Sequence, residues 1–269
     1  MAYQGGKTLH GPAIAGVIGS HMEAHGCTHY WEPFFGMGSV LAALPSSFAV
    51  KPSTKHSVSR CASDLNGGLM AMWSSFLDGD WTPPEAPKAL TKAAYDDLKA
   101  GPDSPAKGFY GVGASYTGQY FGGMVPPRDA GGRTHQEGQL AAMASHLWTK
   151  FPALEGVHVH PASLPYASQA PRGYVIYADP PYADTKSYAS TDYAFDSAGF
   201  WATAHAWSEA GNDVFVSEAG APPEHLLHQG WTCVWKATMR ISMTNRSGCG
   251  DRKDREERLW FRPATLAPG

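Results

Sequence analysis

The segment VIYADPPYADTKSY, Val175 to Tyr188, decides how the rest of the chain is read. Apolar residues lead into an acid, two prolines and a tyrosine. Val175 to Asp179 reads as a buried strand. Pro180 and Pro181 lack the N–H that a ladder needs and fix their own φ, so the strand stops at Asp179. Asp179 and Tyr182 are thereby set on a stiff turn at a strand's C-terminal end. Such a turn can hold a planar amine: the carboxylate and the Pro180 carbonyl accept its hydrogens, and the Tyr182 ring stacks on the base that carries it. The rigidity of the prolines favours a preorganised grip.

The pattern around this strand is α/β. Pro12 sits in the first turn of a helix striped by Ile14, Val17, Ile18 and Met22. Thr28–Glu32 reads as a strand, followed by the glycine loop FFGMG and a helix from about Ser39. HSVSRCASDLN reads as a second strand ending near Asp64 and Asn66, followed by helix Gly68–Leu77. This βαβα order predicts a parallel sheet. Further on come helix Gln136–Phe151, the short strand GVHVHPA, helix Ser197–Ala210 and strand NDVFVSEAG. WTCVWKATMRIS and RLWFRP alternate like an antiparallel hairpin about a charged connection, Asn245–Glu257. Between Gly79 and Gly132 the texture shifts to Gly, Pro, Lys and aromatics. A structureless loop that long is unexpected inside a compact domain, so 78–135 reads as an inserted small domain between 1–77 and 136–269.

Composition bounds the class. The 269 residues are 43% hydrophobic and 17% charged, ample for a core. A net charge of -3 and a pI of about 6.4 give no global basic field, so any nucleic-acid partner is held in a local cleft. Cys27, Cys61, Cys233 and Cys249 form no C-x-x-C pair, which suits reduced thiols in a cytosol. No apolar run is long enough to span a membrane, and MAYQGGKTLHG has no signal-peptide core. A cytoplasmic protein is expected.

Two further motifs carry chemistry. Phe34-x-Gly36-x-Gly38 lies between a strand and a helix, where glycines let backbone approach a ligand closely. The third glycine of a dinucleotide fingerprint is missing, because Leu41 stands in its place. Asp64, ending the neighbouring strand, can accept bonds from ribose hydroxyls or cap the next helix. GGKT near the start is not a P-loop, since the first glycine of that motif would be Met1. His21, His25 and His29 are spaced by four, but Gly26 ends the helix before the set is complete. They read as surface histidines, as His158 and His160 read as packing residues, and no metal site is expected.

In order, these motifs resemble the S-adenosylmethionine-dependent DNA adenine-N6 methyltransferases of the Dam-like group, in which the glycine motif precedes DPPY, phage-encoded members included. YQGGK, EPFFGMGSV, SDLN, YADPPY, VFVSEAGAPPE, GASYTGQYFGG and the MRISMTNRSGCGDRKDREERLWF tail carry the resemblance over most of the chain. It implies a Rossmann-like, mostly parallel sheet with a C-terminal antiparallel hairpin, S-adenosylmethionine as cofactor, and double-stranded DNA as partner of a monomer or homodimer. Tyr3 and Lys7 would border the cofactor, Phe34, Gly36 and Gly38 would line it, and Asp64 would hold its ribose. Asp179, Pro180, Pro181 and Tyr182 would form the catalytic turn. The insertion would recognise the target: Lys107, Arg128 and Arg133 on phosphates, Gln119 on an adenine edge, and Tyr120 or Phe121 in the gap left by the flipped base. Arg246, Arg252 and Lys253 would add phosphate contacts. Motif order favours adenine over cytosine N4. An RNA base as target and a non-catalytic DNA-binding module on the same fold are the remaining alternatives.

Overall fold

The computed structural model describes residues 6–45, 59–128, 135–182, 195–242 and 252–265. Tyr3, Arg133 and Arg246 fall outside these, as do the side chains of Arg252 and Lys253.

Helix α1 (Gly11–His25) opens on Pro12, buries Ile14, Ala15, Ile18 and Met22, and stops at Gly26. Gly26 takes φ 63° and returns its N–H to the Glu23 carbonyl. That left-handed cap turns the chain back toward the sheet. Strands β1 (His29–Glu32), β2 (Ser59–Ala62), β3 (His158–Val159), β4 (Val175–Ala178), β5 (Asp213–Glu218), β6 (Thr232–Ser242) and β7 (Arg252–Arg262) form one sheet in the order β3-β2-β1-β4-β5-β7-β6. The first five are parallel; β7 runs antiparallel between β5 and β6. The expected α/β class and terminal hairpin are both present.

The period of two in a strand sorts its side chains into two layers. Val175, Tyr177 and Phe215 enter a core with α1, α2 (Gly67–Leu77) and α5 (His135–Leu154). Ile176, Ala178, Val214 and Val216 enter a second core with Phe200, Trp201 and Trp207 of α6 (Ser197–Glu209). All of β4 is buried, as its unbroken apolar run requires of an inner parallel strand.

The helix expected from Ser39 is instead a short 3-10 turn, Leu41–Ala43. Leu44 precedes Pro45, whose ring drives it out of the helical region to ψ 145°, and the turn cannot extend. Among its described residues the 78–135 segment holds two α-helices that its glycines and prolines obscured. Thr91 caps α3 (Lys92–Ala100) by accepting from Ala94 N–H at 3.2 Å. Ser104 caps α4 (Pro105–Gly113) by accepting from Lys107 N–H at 3.1 Å, with Pro105 in the first turn. The glycines of α4 serve close approach. A Cβ on Gly108 would stand 2.2 Å from the Gly68 carbonyl of α2, and one on Gly111 would stand 2.6 Å from the Tyr120 and Phe121 rings. Tyr95, Phe109, Val112 and Phe121 join the same apolar cluster as Leu69, Trp73 and Met143. This segment and the sheet layer therefore share a core.

Overpacking that helix contact costs stability. Gly108→Val is expected to lower unfolding free energy by about 3 kcal/mol, read from the urea midpoint. Gly138→Ala on α5, with nothing within 4 Å of its new Cβ, should leave stability unchanged or raise it by up to about 1 kcal/mol.

Candidate active site at the strand tips

The sheet reverses its direction of growth between β1 and β4. From β1 the chain steps outward to β2 and β3, then returns to place β4 and β5 on the other side. Ligands of open α/β sheets bind at this crevice, outside the carboxyl ends of the strands. Here the loop after β1 and the turn after β4 face each other.

The β1 loop, Phe34 to Gly38, is held from several sides. Phe35 N–H donates to the Ser63 carbonyl at 3.0 Å, and Gly36 N–H donates to Asp64 Oδ2 at 2.8 Å. Trp73 Nε1 donates to the Gly36 carbonyl at 3.0 Å. Lys150 Nζ, reaching up from α5, donates to the Met37 carbonyl and to Ser39 Oγ. Gly36 and Gly38 take φ 49° and 63°, a region that disfavours any side chain. At Gly38 a Cβ would also stand 2.7 Å from the Phe35 ring.

Asp64 does not cap α2. Asn66 does, its Oδ1 accepting from Leu69 N–H at 3.1 Å. Asp64 instead ties the β2 tip to the glycine loop, accepting from Asn66 N–H on Oδ1 at 2.9 Å and from Gly36 N–H on Oδ2. Burial raises its carboxyl above the usual range, opposed by those N–H groups. With Leu65 N–H as a third donor, the carboxylate still keeps acceptor capacity for one more. Phe34 is half-buried among the rings of Tyr166, Phe195 and Phe200, at centroid distances of 5.1, 6.3 and 5.6 Å.

At the β4 tip, Asp179 meets Lys7. Lys7 Nζ donates to Asp179 Oδ1 and to the Tyr182 hydroxyl, both at 2.6 Å, and lies 3.5 Å from Glu257 Oε1. The Tyr182 hydroxyl in turn donates to Glu257. Lys7 is 9% exposed and Glu257 1%, so this cation is held between two carboxylates away from bulk water. Burial pushes the Asp179 carboxyl up to about 6; Lys7 opposes that rise and the Glu257 charge adds to it. Burial, then the charges of Asp179 and Glu257, hold the Tyr182 phenol far above its usual value, so it remains a neutral donor.

Glu32 closes the group from below. Its Oε2 accepts from the Tyr30 hydroxyl at 3.0 Å. Burial pushes its carboxyl up to about 8, with Asp179 adding and Lys150 opposing. Lys150 is lowered to about 8 by its own burial.

The structure therefore brings Lys7, Phe34, Gly36, Gly38, Asp64, Asp179 and Tyr182 to one end of the sheet. Glu32, Lys150 and Glu257 join them without having been singled out in the sequence. Glu257 fell within a charged run read as a solvated connection; its signal was its place two residues before buried Leu259, on the same strand face.

The nucleic-acid candidates divide. Phe121 is 4% exposed and packs against Tyr95, so its ring fills core and not a gap in a duplex. The Tyr120 hydroxyl is pressed against α2, where a Cβ on Gly68 would stand 2.1 Å away. Lys107 Nζ donates to the Gly101 carbonyl at 2.6 Å and faces Asp103 at 3.5 Å, which ties it to its own fold. These three placements correct the expectation of outward roles. Gln119 is partly exposed, folded over Gly122, and Arg128 is exposed.

No family model matches the chain, and no curated protein matches its sequence. Among solved structures, a Pyrococcus horikoshii protein provisionally assigned as an RNA methyltransferase aligns over 94% of this chain and 84% of its own, at 7% identity and a TM-score of 0.37. No helix among the described residues is long and apolar enough to cross a membrane.

The charges around Asp179 make opposite demands on it. Lys7→Met removes the influence that lowers its carboxyl, so titration should move above 6; Glu257→Gln removes one that raises it, so titration should move down. Carboxyl-carbon NMR of the two variants, with Asp179→Asn to assign the resonance, reads both signs.

Proposed function

We propose that this chain transfers a methyl group from S-adenosylmethionine to the N6 amine of an adenine turned out of duplex DNA. The observation that carries the reading is the meeting of two motifs across the sheet's reversal point. The glycine loop Phe34–Gly38 stands at the tip of β1 and the Asp179–Tyr182 turn at the tip of β4, its direct neighbour.

The residues present fit the cofactor. Gly36 and Gly38 leave no side chain between backbone and a ligand, Asp64 keeps acceptor capacity for ribose hydroxyls, and the rings about Phe34 offer an apolar face for a purine. S-Adenosylmethionine, when bound, supplies an electrophilic methyl group on a sulfonium.

The chain's own work is to present the amine. Adenine N6 is a poor nucleophile because its lone pair is delocalised into the ring. Asp179 and the Pro180 carbonyl accept its two hydrogens, which draws the nitrogen toward sp³ and localises that pair. Tyr182 stacks on the base, whose extrusion costs a few kcal/mol. Lys7 occupies Asp179 Oδ1 at 2.6 Å, so it must yield that acceptor as the amine arrives. After transfer the nitrogen carries one proton too many. Asp179, whose carboxyl burial raises, can take that proton and pass it to solvent. Tyr182, held protonated, cannot act as the base.

In this reading segment 78–135 recognises the target, through surface residues such as Arg128 and Gln119 and not through Lys107, Tyr120 or Phe121. Phosphate contacts of that kind position the duplex without reading its sequence.

The test incubates purified protein and labelled S-adenosylmethionine with unmodified duplex DNA and, separately, with RNA, and analyses the nucleosides by mass spectrometry. N6-methyladenine in DNA is the expected product. Asp179→Ala should reduce transfer at least about a hundred-fold while cofactor binding persists. N4-methylcytosine, or methylation of RNA alone, would replace the proposed substrate. Cofactor binding with no methylated base would point to a non-catalytic module.

A further inference from the structure

A second cluster of chemistry-bearing side chains lies at the opposite end of the sheet. His21 lies one turn before the end of α1, Cys27 follows the Gly26 cap, and Asp213 opens β5. One donor atom from each lies within 4.8 Å of the other two. Asp213 pairs with Val175 at the start of β4, whereas Asp179 follows that strand's end. The two sites are thus separated by about 13 Å, the length of a four-residue strand.

We propose that His21, Cys27 and Asp213 bind a divalent cation of the zinc class, which clamps the α1–β1 turn to the start of β5. The donor set is imidazole nitrogen, thiolate sulfur and carboxylate oxygen, the mixture zinc accepts in tetrahedral geometry.

Supporting bonds already orient the donors. Asp213 Oδ1 accepts from Ala264 N–H at 2.9 Å, leaving Oδ2 turned to His21 Nε2 at 2.9 Å. The His21 ring is held edge-on by Phe215 and Phe261, at centroid distances of 5.3 and 4.9 Å. Cys27 is placed by its own N–H, which donates to the Met22 carbonyl at 2.9 Å through the Gly26 turn. Outer bonds of this kind are what fix ligand orientation at metal sites. His25 stacks on His21 at 4.2 Å, and its Nδ1–H donates to the His21 carbonyl, which leaves Nε2 as the ring nitrogen available for coordination. A water, or His25 after a side-chain rotation, completes the fourth position.

The three donors are also shielded from bulk water. His21 and Asp213 are 14% and 19% exposed, and Cys27 is half-buried. On metal binding the Cys27 thiol loses its proton to solvent as the sulfur–metal bond forms, and His21 coordinates through Nε2 as a neutral imidazole with its proton on Nδ1.

The test uses the full chain stripped with a chelator and titrated with Co²⁺, whose thiolate bond gives a near-ultraviolet charge-transfer band. One Co²⁺ per chain with that band, displaced by Zn²⁺, is expected. Cys27→Ser should abolish the band, and Asp213→Asn should weaken Co²⁺ binding at least about tenfold. The two variants touch different elements, so misfolding of one, seen in its metal-free urea midpoint, leaves the other informative. Absence of the band in the parent, or its persistence in Cys27→Ser, would overturn the proposal. So would an unchanged affinity in Asp213→Asn.

Discussion

The pairing of β1 with β4 is the constraint on which this molecule rests. Tyr30 lies opposite Val175 and Trp31 opposite Ile176, residues from distant parts of the sequence joined in one parallel ladder. Beyond exposed His29 both strands are buried, so a slip of one residue would turn apolar side chains of one core toward the other. With that register set, the glycine loop and the proline turn have no freedom to stand anywhere but across from each other.

What gathers at this crevice is charge, which a buried setting ordinarily excludes. An isolated ion there costs several kcal/mol in desolvation, so it survives only in company. Lys7 answers Asp179 and Glu257, and Lys150 answers Glu32 while donating to the glycine loop. The result is a set of polar groups each shifted from its ordinary protonation behaviour, Asp179 and Glu32 upward and Lys150 downward. Strong perturbation of several groups beside one crevice is a common mark of function.

Much of this was legible beforehand where one local rule was enough. Pro180 and Pro181 end a strand by their own chemistry, Gly26 ends a helix, and alternation in the tail gives a hairpin. Gly36 and Gly38 announced a tight loop, and the structure gives them positive φ. Legibility failed where the cause was remote. Ser39 looked like a helix start, but Leu44 before Pro45 stops the turn within a few residues. Gly108 and Gly111 looked like loop residues because the thing that needs them, the backbone of α2 and two aromatic rings, lies far off in sequence. Phe121 and Tyr120 looked available for a partner because nothing nearby announces that α4 covers them. Glu257 looked like one charge among many, since only the strand pairing shows which of that run turns inward. His21 and Asp213, 192 residues apart, could not have been joined by spacing.

The ion cluster at Lys7 also bears on how the protein is made. Lys7 stands near the start of the described chain and Glu257 near its end, with Asp179 and Tyr182 between them. A ribosome delivers these in order, so Lys7 waits through almost the whole of synthesis for both carboxylates that hold it. Chains interrupted before β7 lack Glu257 and the strand that bears it, even when much of the parallel sheet has formed. Assembly of the strand tips is therefore a late event, and unfinished chains hold the crevice without its closing carboxylate.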